Sequence, residues 1–223
     1  KKMKKDILVL AAHPDDETLG CGGTIHRLSK EGHNIRLITF TNGEGARGVT
    51  NKNRNTSLDK VSSILGINSF TYGDFPDNAM DSVPLLDICK FLEYNLTFDP
   101  DIIFTHFIGD LNVDHQLVTK AALTAFRPQS GKVQDIYSYN VPSSTDYNPT
   151  TYYKANSYFK LHSSDVEAKA KALDVYEAEM RVYPHTRSHQ NVDNLMRVWG
   201  SEVGTTFAEK FQLIRSVLWK TYQ

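Results

Sequence analysis

A histidine and two adjacent carboxylates directly follow the first apolar run of the chain. The run is Ile7 to Ala11, and the polar residues are His13, Asp15 and Asp16. Such a run is typical of a buried strand, and open α/β sheets bind ligands beyond the carboxyl ends of their strands. From a tight turn, His13 and Asp16 can both reach one divalent ion, which leaves Asp15 for another role. The same pattern also fits a plain strand-to-helix turn capped by an aspartate.

A second polar cluster follows another apolar run. Ile102 to Phe104 precedes a segment that contains Asp114 and His115. Catalytic zinc usually keeps three protein ligands and one open position for water, and His13, Asp16 and His115 supply that number. Asp114 is then available to orient a neighbouring side chain, and in that role we include it among the catalytic residues.

The two motifs, in this order and at this separation, resemble the PIG-L or LmbE-like N-acetylglucosamine deacetylases, a family of zinc enzymes. The resemblance covers nearly the whole chain. It extends to Thr41-Asn42-Gly43-Glu44, to Arg54 followed by Leu65-Gly66, and to the ending Gly204-Thr205-Thr206-Phe207-Ala208-Glu209-Lys210-Phe211. The resemblance implies a Rossmann-like fold and hydrolysis of an acetamido sugar to a free amine and acetate.

When the family's functional residues are matched to this sequence by position, the resemblance implies that His13, Asp16 and His115 are zinc ligands. It implies that Asp15 is the general base. One residue departs from the family pattern. Many members have a histidine where this chain has Asn112, and that histidine protonates the leaving group or stabilises the oxyanion. The identity of the acid is therefore open in this chain, and we place Asn112 among the substrate-binding residues.

The segment Tyr183-Pro184-His185-Thr186-Arg187 is the best candidate for the missing acid. Its proline stiffens a turn that presents a histidine and an arginine, and His185 placed over the metal would replace the function absent at Asn112. A histidine beside proline in a loop is also typical of a solvated surface residue.

Three arginines are candidate substrate contacts. Arg47 lies in the glycine-rich segment 42–48, Arg54 belongs to the family resemblance, and Arg187 lies beside His185. A guanidinium fork suits sugar hydroxyls and anionic acceptors, although Arg47 also fits an ordinary solvated arginine.

The composition points to small-molecule partners. The chain has 223 residues with 25 Lys and Arg against 26 Asp and Glu, so it lacks the basic surface that binds nucleic acid. Its two cysteines argue against a disulfide framework and favour the cytoplasm. No apolar stretch is long enough for an integral membrane segment. The oligomeric state stays open, with a homo-oligomer as one alternative.

Alternation of helical and strand patterns predicts one α/β domain over residues 1–223, with a mostly parallel, Rossmann-like sheet flanked by helices. We expect a Rossmann-like part at about 1–140 and a substrate-shaping part at about 141–223. Gly20 and Gly23 predict close packing of the first helix on the sheet. The segment from Leu85 to Leu96 is predicted to form an amphipathic helix that buries Leu86, Cys89 and Leu92 or Phe91.

Other polar residues receive structural interpretations. Ser164 with Glu167 predicts a capping box at the start of a helix. Asp77 is interpreted as a turn residue and His106 as a partner of the ligands at a strand end. Four histidines are predicted to lie on the surface: His26, His33, His162 and His189.

The predicted function is removal of the N-acetyl group from an N-acetylglucosamine-type sugar or conjugate, with one Zn²⁺ or another divalent ion per chain. A hydrolase of another amide, ester or phosphoester would use the same ligands, although phosphoryl transfer commonly uses two metals and more carboxylates. A non-catalytic module that binds a nucleotide or sugar would keep the sheet but would leave Asp15 without a role.

Overall fold

The computed structural model describes residues 3–42, 54–128 and 135–217, with side chains from residue 57 onward in the second range. Its strands are β1 (Asp6–Ala11), β2 (Asn34–Thr39), β3 (Ser69–Tyr72), β4 (Ile102–His106), β5 (Asp135–Tyr139), β6 (Ser157–Leu161) and β7 (Phe207–Ser216). Its α-helices are α1 (Asp16–Lys30), α2 (Arg54–Leu65), α3 (Leu85–Asn95), α4 (Val113–Ala125), α5 (Ser163–Val175) and α6 (His189–Glu202). Two short 3-10 turns cover Met80–Ser82 and Glu177–Glu179.

The strands form one sheet in the order β3-β2-β1-β4-β5-β7-β6. The first five strands along the chain pair in parallel, whereas β7 runs antiparallel to both β5 and β6. This confirms the predicted Rossmann-like, mostly parallel sheet. The strand order reverses between β1 and β4, and the crevice at such a reversal is where open α/β sheets bind ligands.

The continuous apolar run of β1 is buried on both faces of the sheet. Ile7, Val9 and Ala11 join the core beneath α1, α2, α5 and α6, whereas Leu8 and Leu10 join the core beneath α3 and α4. Side chains alternate across a strand, so a strand covered on both faces needs apolar residues at every position. The sheet is therefore the middle of three layers.

Glycines let α1 approach the sheet, as predicted. A Cβ atom at Gly20 would lie 2.1 Å from the Tyr139 ring, and one at Gly23 would lie 2.7 Å from Leu161. The space kept open by Gly20 holds the fully buried ring of Tyr139, whose hydroxyl donates to the carbonyl of Leu10 at 2.6 Å.

Two local predictions are wrong. Leu86 is 63% exposed, whereas Cys89 and Leu92 are buried as predicted, together with Ile88. At about 100° per residue, Leu86 lies about 200° from Ile88, on the opposite side of the helix.

The capping box of α5 also lies two residues earlier than predicted. The helix begins at Ser163, and its N-cap is His162 rather than Ser164. Asp165 supplies the carboxylate of the box in place of Glu167, and it accepts the backbone N–H of His162 at 2.7 Å.

Two histidines that were predicted to lie on the surface are buried. His26 is 8% exposed and lies 2.7 Å from the Asp165 carboxylate through its Nδ1. His33, also 8% exposed, accepts the backbone N–H of Lys5 at Nδ1. In both cases a segment distant in the sequence covers the imidazole, and local pattern does not reveal such a partner.

Of the helices in the described ranges, none combines the length and the apolar character needed to cross a membrane.

We expect Gly20→Ala to lower the free energy of unfolding by about 1–3 kcal/mol, because its Cβ would overlap the Tyr139 ring. Gly22→Ala is the matched control, since it gains the same helix propensity while its Cβ meets the Lys169 stem at 3.3 Å. Urea unfolding measures both variants. Equal stability of the two would contradict the packing assigned to Gly20.

Candidate metal and catalytic site

The two sequence motifs meet at the crevice between β1 and β4. These strands are parallel neighbours, so the segments that follow them emerge at the same sheet edge. His13 lies just beyond β1, Asp16 opens α1, and His115 lies in the first turn of α4. The rings of His13 and His115 have centroids 5.4 Å apart.

His13, Asp16 and His115 form a compact cluster of potential metal ligands. Each offers one donor atom, and these atoms lie within 4.8 Å of one another. Asp16 Oδ2 is 3.2 Å from His13 Nδ1 and 3.3 Å from His115 Nε2.

Two atoms of the cluster point to a cation. Asp16 Oδ1 and His115 Nε2 are buried and have no hydrogen-bond partner among the described residues. Buried polar atoms are normally satisfied, and a cation would satisfy a carboxylate oxygen and an imidazole nitrogen together. Two imidazoles and one carboxylate are also a donor set that suits zinc, so the residues present fit a divalent metal.

Asp114 orients His13. His13 Nε2 lies 2.9 Å from Asp114 Oδ2, and this carboxylate also accepts the backbone N–H groups of Asn78 at 2.7 Å and of Met80 at 3.0 Å. A hydrogen bond from Nε2–H leaves Nδ1, on the side of Asp16, free to bind a metal. Asp114 thus contacts a candidate ligand, and its orienting role stays a prediction.

His115 has an equivalent carboxylate partner in Asp110, a residue to which the sequence alone assigned no role. Asp110 Oδ1 lies 3.3 Å from His115 Nδ1. The Asp110 carboxylate is fully buried and accepts hydrogen bonds from the hydroxyls of Ser144 and Thr145 and from the backbone N–H of Asn112. Its place four residues after β4 and five residues before His115 was the available signal.

His106 supports the cluster from behind. Its ring stacks on that of His115 at 3.9 Å between centroids, and its Nε2 accepts the backbone N–H of Ala12 at 2.8 Å. Burial, with the nearby His115, holds the pKa of His106 well below its usual range. A neutral His106 therefore fits the predicted role of a partner rather than a ligand.

The carboxylates around the cluster favour positive charge at its centre. Burial opposes the charge on His13, yet hydrogen bonds to Asp114 and Asp16 raise its pKa to about 10. Burial opposes the charge on His115 as well, yet the Asp16 charge and the Asp110 hydrogen bond raise its pKa to about 9. A divalent ion supplies such a charge directly.

Asp15 lies beside the cluster with a strained backbone. Its φ of 125° is in the left-handed region, and such strain persists only where surrounding contacts hold it. Glu17 Oε2 accepts the backbone N–H of Asp15 at 3.1 Å, and Glu17 Oε1 accepts the Tyr176 hydroxyl at 3.1 Å. Burial, only partly offset by Arg187, raises the pKa of Asp15 to about 7, which suits a general base.

The turn that contains His185 and Arg187 contacts the site through a hydrogen bond from Arg187 to Asp15. Arg187 Nη1 donates to Asp15 Oδ2 at 3.0 Å, and Arg187 Nε donates to Ser143 Oγ at 2.8 Å. His185 Nδ1 accepts the backbone N–H of Arg187 at 3.1 Å, and its ring contacts Tyr147. In neutral His185 the proton therefore belongs on Nε2.

Asn112 has a structural role in this site. Its Oδ1 accepts the backbone N–H of Asp114 at 2.8 Å as the N-cap of α4, and its Nδ2 donates to Asn78 Oδ1 at 3.0 Å. Asn78 in turn donates to Asp77, whose carboxylate lies 3.2 Å from His13 Nε2. Asp77, interpreted from the sequence as a turn residue, thus contacts a candidate ligand.

Two predicted substrate contacts cannot be placed. Arg47, with most of the segment 42–48, lies outside the described residues. Arg54 begins the backbone of α2, and its side chain is likewise outside the described part of the chain.

Comparison with known proteins gives the same assignment as the motifs. The family model of the PIG-L proteins, described as GlcNAc-PI de-N-acetylase, matches residues 8–126, just over half of the chain. The uncharacterized deacetylase YaiS of Escherichia coli K12 is 29% identical over 147 residues, which cover 63% of this chain and 76% of YaiS. The 1D-myo-inositol 2-acetamido-2-deoxy-alpha-D-glucopyranoside deacetylase of Segniliparus rotundus is 39% identical over 59 residues, 26% of this chain and 19% of that protein.

Solved structures share the fold over nearly the whole chain. The conserved protein TT1542 from Thermus thermophilus has a TM-score of 0.75 at 24% identity and covers 98% of this chain and 99% of its own. The N,N'-diacetylchitobiose deacetylase of Pyrococcus horikoshii has a TM-score of 0.73 at 19% identity, with coverage of 96% and 85%. The hydratase GalB of Pseudomonas putida KT2440 has a TM-score of 0.73 at 18% identity, with coverage of 99% and 100%. At these identities the likeness establishes the fold alone.

The family model covers both motifs, and the structure brings the residues of those motifs together at one sheet edge. The chain belongs to the PIG-L family of de-N-acetylases.

Proposed function

We propose that the chain hydrolyses the N-acetyl group of an N-acetylglucosamine-type sugar or sugar conjugate, giving a free amine and acetate, with one zinc ion per chain. The observation that carries the proposal is the buried cluster of His13, Asp16 and His115, with its unpartnered oxygen and nitrogen, beside the buried carboxylate of Asp15. The family model and the deacetylases among the relatives support this reaction.

A divalent ion bound by His13, Asp16 and His115 would polarise the acetyl carbonyl and lower the pKa of a water. Asp15 takes a proton from the attacking water as the water oxygen bonds to the acetyl carbon. Arg187 holds the Asp15 carboxylate in place through its 3.0 Å contact. The C–N bond then breaks, and the leaving nitrogen takes up a proton to become the free amine.

The proton for the leaving amine comes from Asp15 or His185 in this proposal. The Asn112 amide does not titrate, and both of its ends are engaged in hydrogen bonds. Asp15 holds the proton that it has removed from the water. His185 would supply that proton as the imidazolium and become the neutral imidazole, and in the neutral form its Nε2–H would donate a hydrogen bond to the oxyanion.

The remaining roles belong to the same proposal. Arg47 and Arg54 are assigned to sugar hydroxyls, as is Asn112 through its Nδ2, which has two hydrogens and uses one in its bond to Asn78. Arg187 is assigned to the substrate as well as to Asp15. A cytoplasmic location is supported by the two cysteines, which are both unpaired and buried.

Ester hydrolysis is the second candidate function. The observation that favours it is Asn112, because an alkoxide leaves with less help from an acid than an amine does. Hydrolysis of O-acetyl groups would otherwise use the same ligands and the same base.

A product assay tests the proposal and separates the two reactions. Metal-loaded protein is incubated with N-acetylglucosamine, N,N'-diacetylchitobiose and an O-acetylated sugar, and acetate and free amine are measured. We expect acetate and amine in equal amounts from an N-acetyl substrate. Acetate from the O-acetylated sugar alone would replace the proposal with ester hydrolysis, and no acetate from any of them would contradict both.

Asp15→Asn should retain the metal and lose turnover by about 10²–10⁴-fold, because the base is removed while the ligands remain. His13→Ala should lose both metal and turnover. Bound metal is quantified beside acetate release, with Asp87→Asn, an exposed carboxylate of α3, as the control. Turnover retained in Asp15→Asn would remove the assignment of the base.

His185→Ala should lower kcat about 10- to 100-fold with KM nearly unchanged, because its Nε2–H is assigned to the reacting atoms rather than to sugar binding. His189→Ala is the matched control, since His189 is an exposed histidine four residues further along the chain. A normal kcat in His185→Ala would show that His185 has no catalytic role and is an ordinary surface histidine.

A further inference from the structure

Helix α1 is broken one turn after its start. Cys21 has φ −146° and ψ 22°, outside the helical region, so the turn Asp16–Gly20 and the remainder of α1 are separate helical segments. A break in a helix leaves amides and carbonyls that must find other partners. The short first segment carries the candidate ligand Asp16 and follows directly on Asp15.

A buried ion pair binds the backbone groups on both sides of the break. In a straight helix the amide of Gly23 would donate to the carbonyl of Leu19. Here the Gly23 amide donates to Glu209 Oε1 at 3.1 Å, and the Leu19 carbonyl accepts from Lys169 Nζ at 2.8 Å. Lys169 and Glu209 themselves are 2.6 Å apart, and each is at most 1% exposed.

The signs of the two charges match the helix ends that they contact. Glu209 Oε2 also accepts the Thr24 amide at 2.7 Å, so the carboxylate caps the amino end of the second segment. The Lys169 ammonium lies at the carbonyl end of the first segment, where a cation is favoured. The pair thus replaces the backbone hydrogen bonding that the break interrupts.

The same side of α5 holds the first segment at a second point. Tyr176 lies seven residues after Lys169 and donates its hydroxyl to Glu17, which in turn accepts the backbone N–H of Asp15. Residues seven apart lie on one face of a helix, so α5 and the residue that ends it contact the first segment through both side chains.

A straight helix would satisfy the same backbone groups without burying two charges, and burial of an ion pair carries a desolvation penalty of several kcal/mol. The backbone groups exposed at the break therefore account for the position of the pair. We propose that Lys169 and Glu209 are positioning residues that fix the direction of the first segment of α1 and thereby hold Asp15 and Asp16 in the candidate site. This inference rests on the proposed function for the roles of Asp15 and Asp16.

The test compares Lys169→Met, Glu209→Gln and the double variant with the native chain. Co²⁺ binding affinity and the Co²⁺ absorption spectrum report the ligand geometry, acetate release from N,N'-diacetylchitobiose reports kcat and KM, and urea unfolding reports stability. Asp165→Asn is the matched control, because it disturbs the buried His26–Asp165 pair between α5 and the second segment of α1, beyond the break.

We expect each single variant to lower kcat by about 10- to 100-fold with KM nearly unchanged, and to alter the Co²⁺ spectrum, because small displacements of reacting groups have effects of that size. The double variant should regain stability, since no unpaired charge stays buried, but should not regain kcat. The Asp165→Asn control should lose stability and keep both kcat and the spectrum.

A kcat that recovers together with stability in the double variant, or single variants with a native kcat and spectrum, would overturn the inference. If the single variants do not fold, Glu209→Asp serves in their place, because it keeps both charges but draws the carboxylate back from the amides of Gly23 and Thr24. It should lower kcat about 2- to 5-fold with an altered spectrum, and a native kcat and spectrum would again overturn the inference.

If the native chain binds Co²⁺ but releases no acetate, the proposed function fails, while the spectra of the variants still decide the positioning role. A native chain that binds no Co²⁺ overturns both.

Discussion

A carboxylate buried between imidazoles is the interaction on which the rest of this structure depends. Asp16 is fully buried, and although burial opposes its ionisation, the nearby His115 and the hydrogen bond with His13 hold its pKa well below the usual range. Its second oxygen nevertheless has no hydrogen-bond partner in the described part of the chain. A cation would satisfy this oxygen, and the outer carboxylates Asp110 and Asp114 contact the two histidines that are its candidate ligands.

The C-terminal part of the chain positions the N-terminal motif. The family model ends at residue 126, yet Arg187 contacts Asp15, and Tyr176 contacts Glu17. Strand β7 pairs with β5 and completes the sheet, and it brings Glu209 to α1. A polar site at a sheet edge thus obtains its rigidity from segments more than 150 residues away in the sequence.

The parts of the fold that follow from local pattern were predictable from the sequence. The apolar runs ending at Ala11 and Phe104 predicted buried parallel strands, and parallel strands bring the residues that follow them to one edge. From this, His13, Asp16 and His115 were expected together, and the structure places them together.

The parts that depend on distant partners were not predictable. Asp77 and Asp110 resemble ordinary loop carboxylates until the loops are folded over the histidines. His26 resembles a surface residue until α5 covers it with Asp165. The glycines of α1 suggested close packing, but the break at Cys21 and the ion pair that stabilises it require residues from two other elements.

Zinc titration of metal-free protein tests the central claim most directly. Acetate release from an N-acetylglucosamine conjugate is measured as Zn²⁺ is added stepwise to chain stripped by a chelator. One ion held by His13, Asp16 and His115 predicts no activity without metal and a rise that saturates at one equivalent per chain. Full activity of the stripped protein, or a need for two equivalents, would contradict the account.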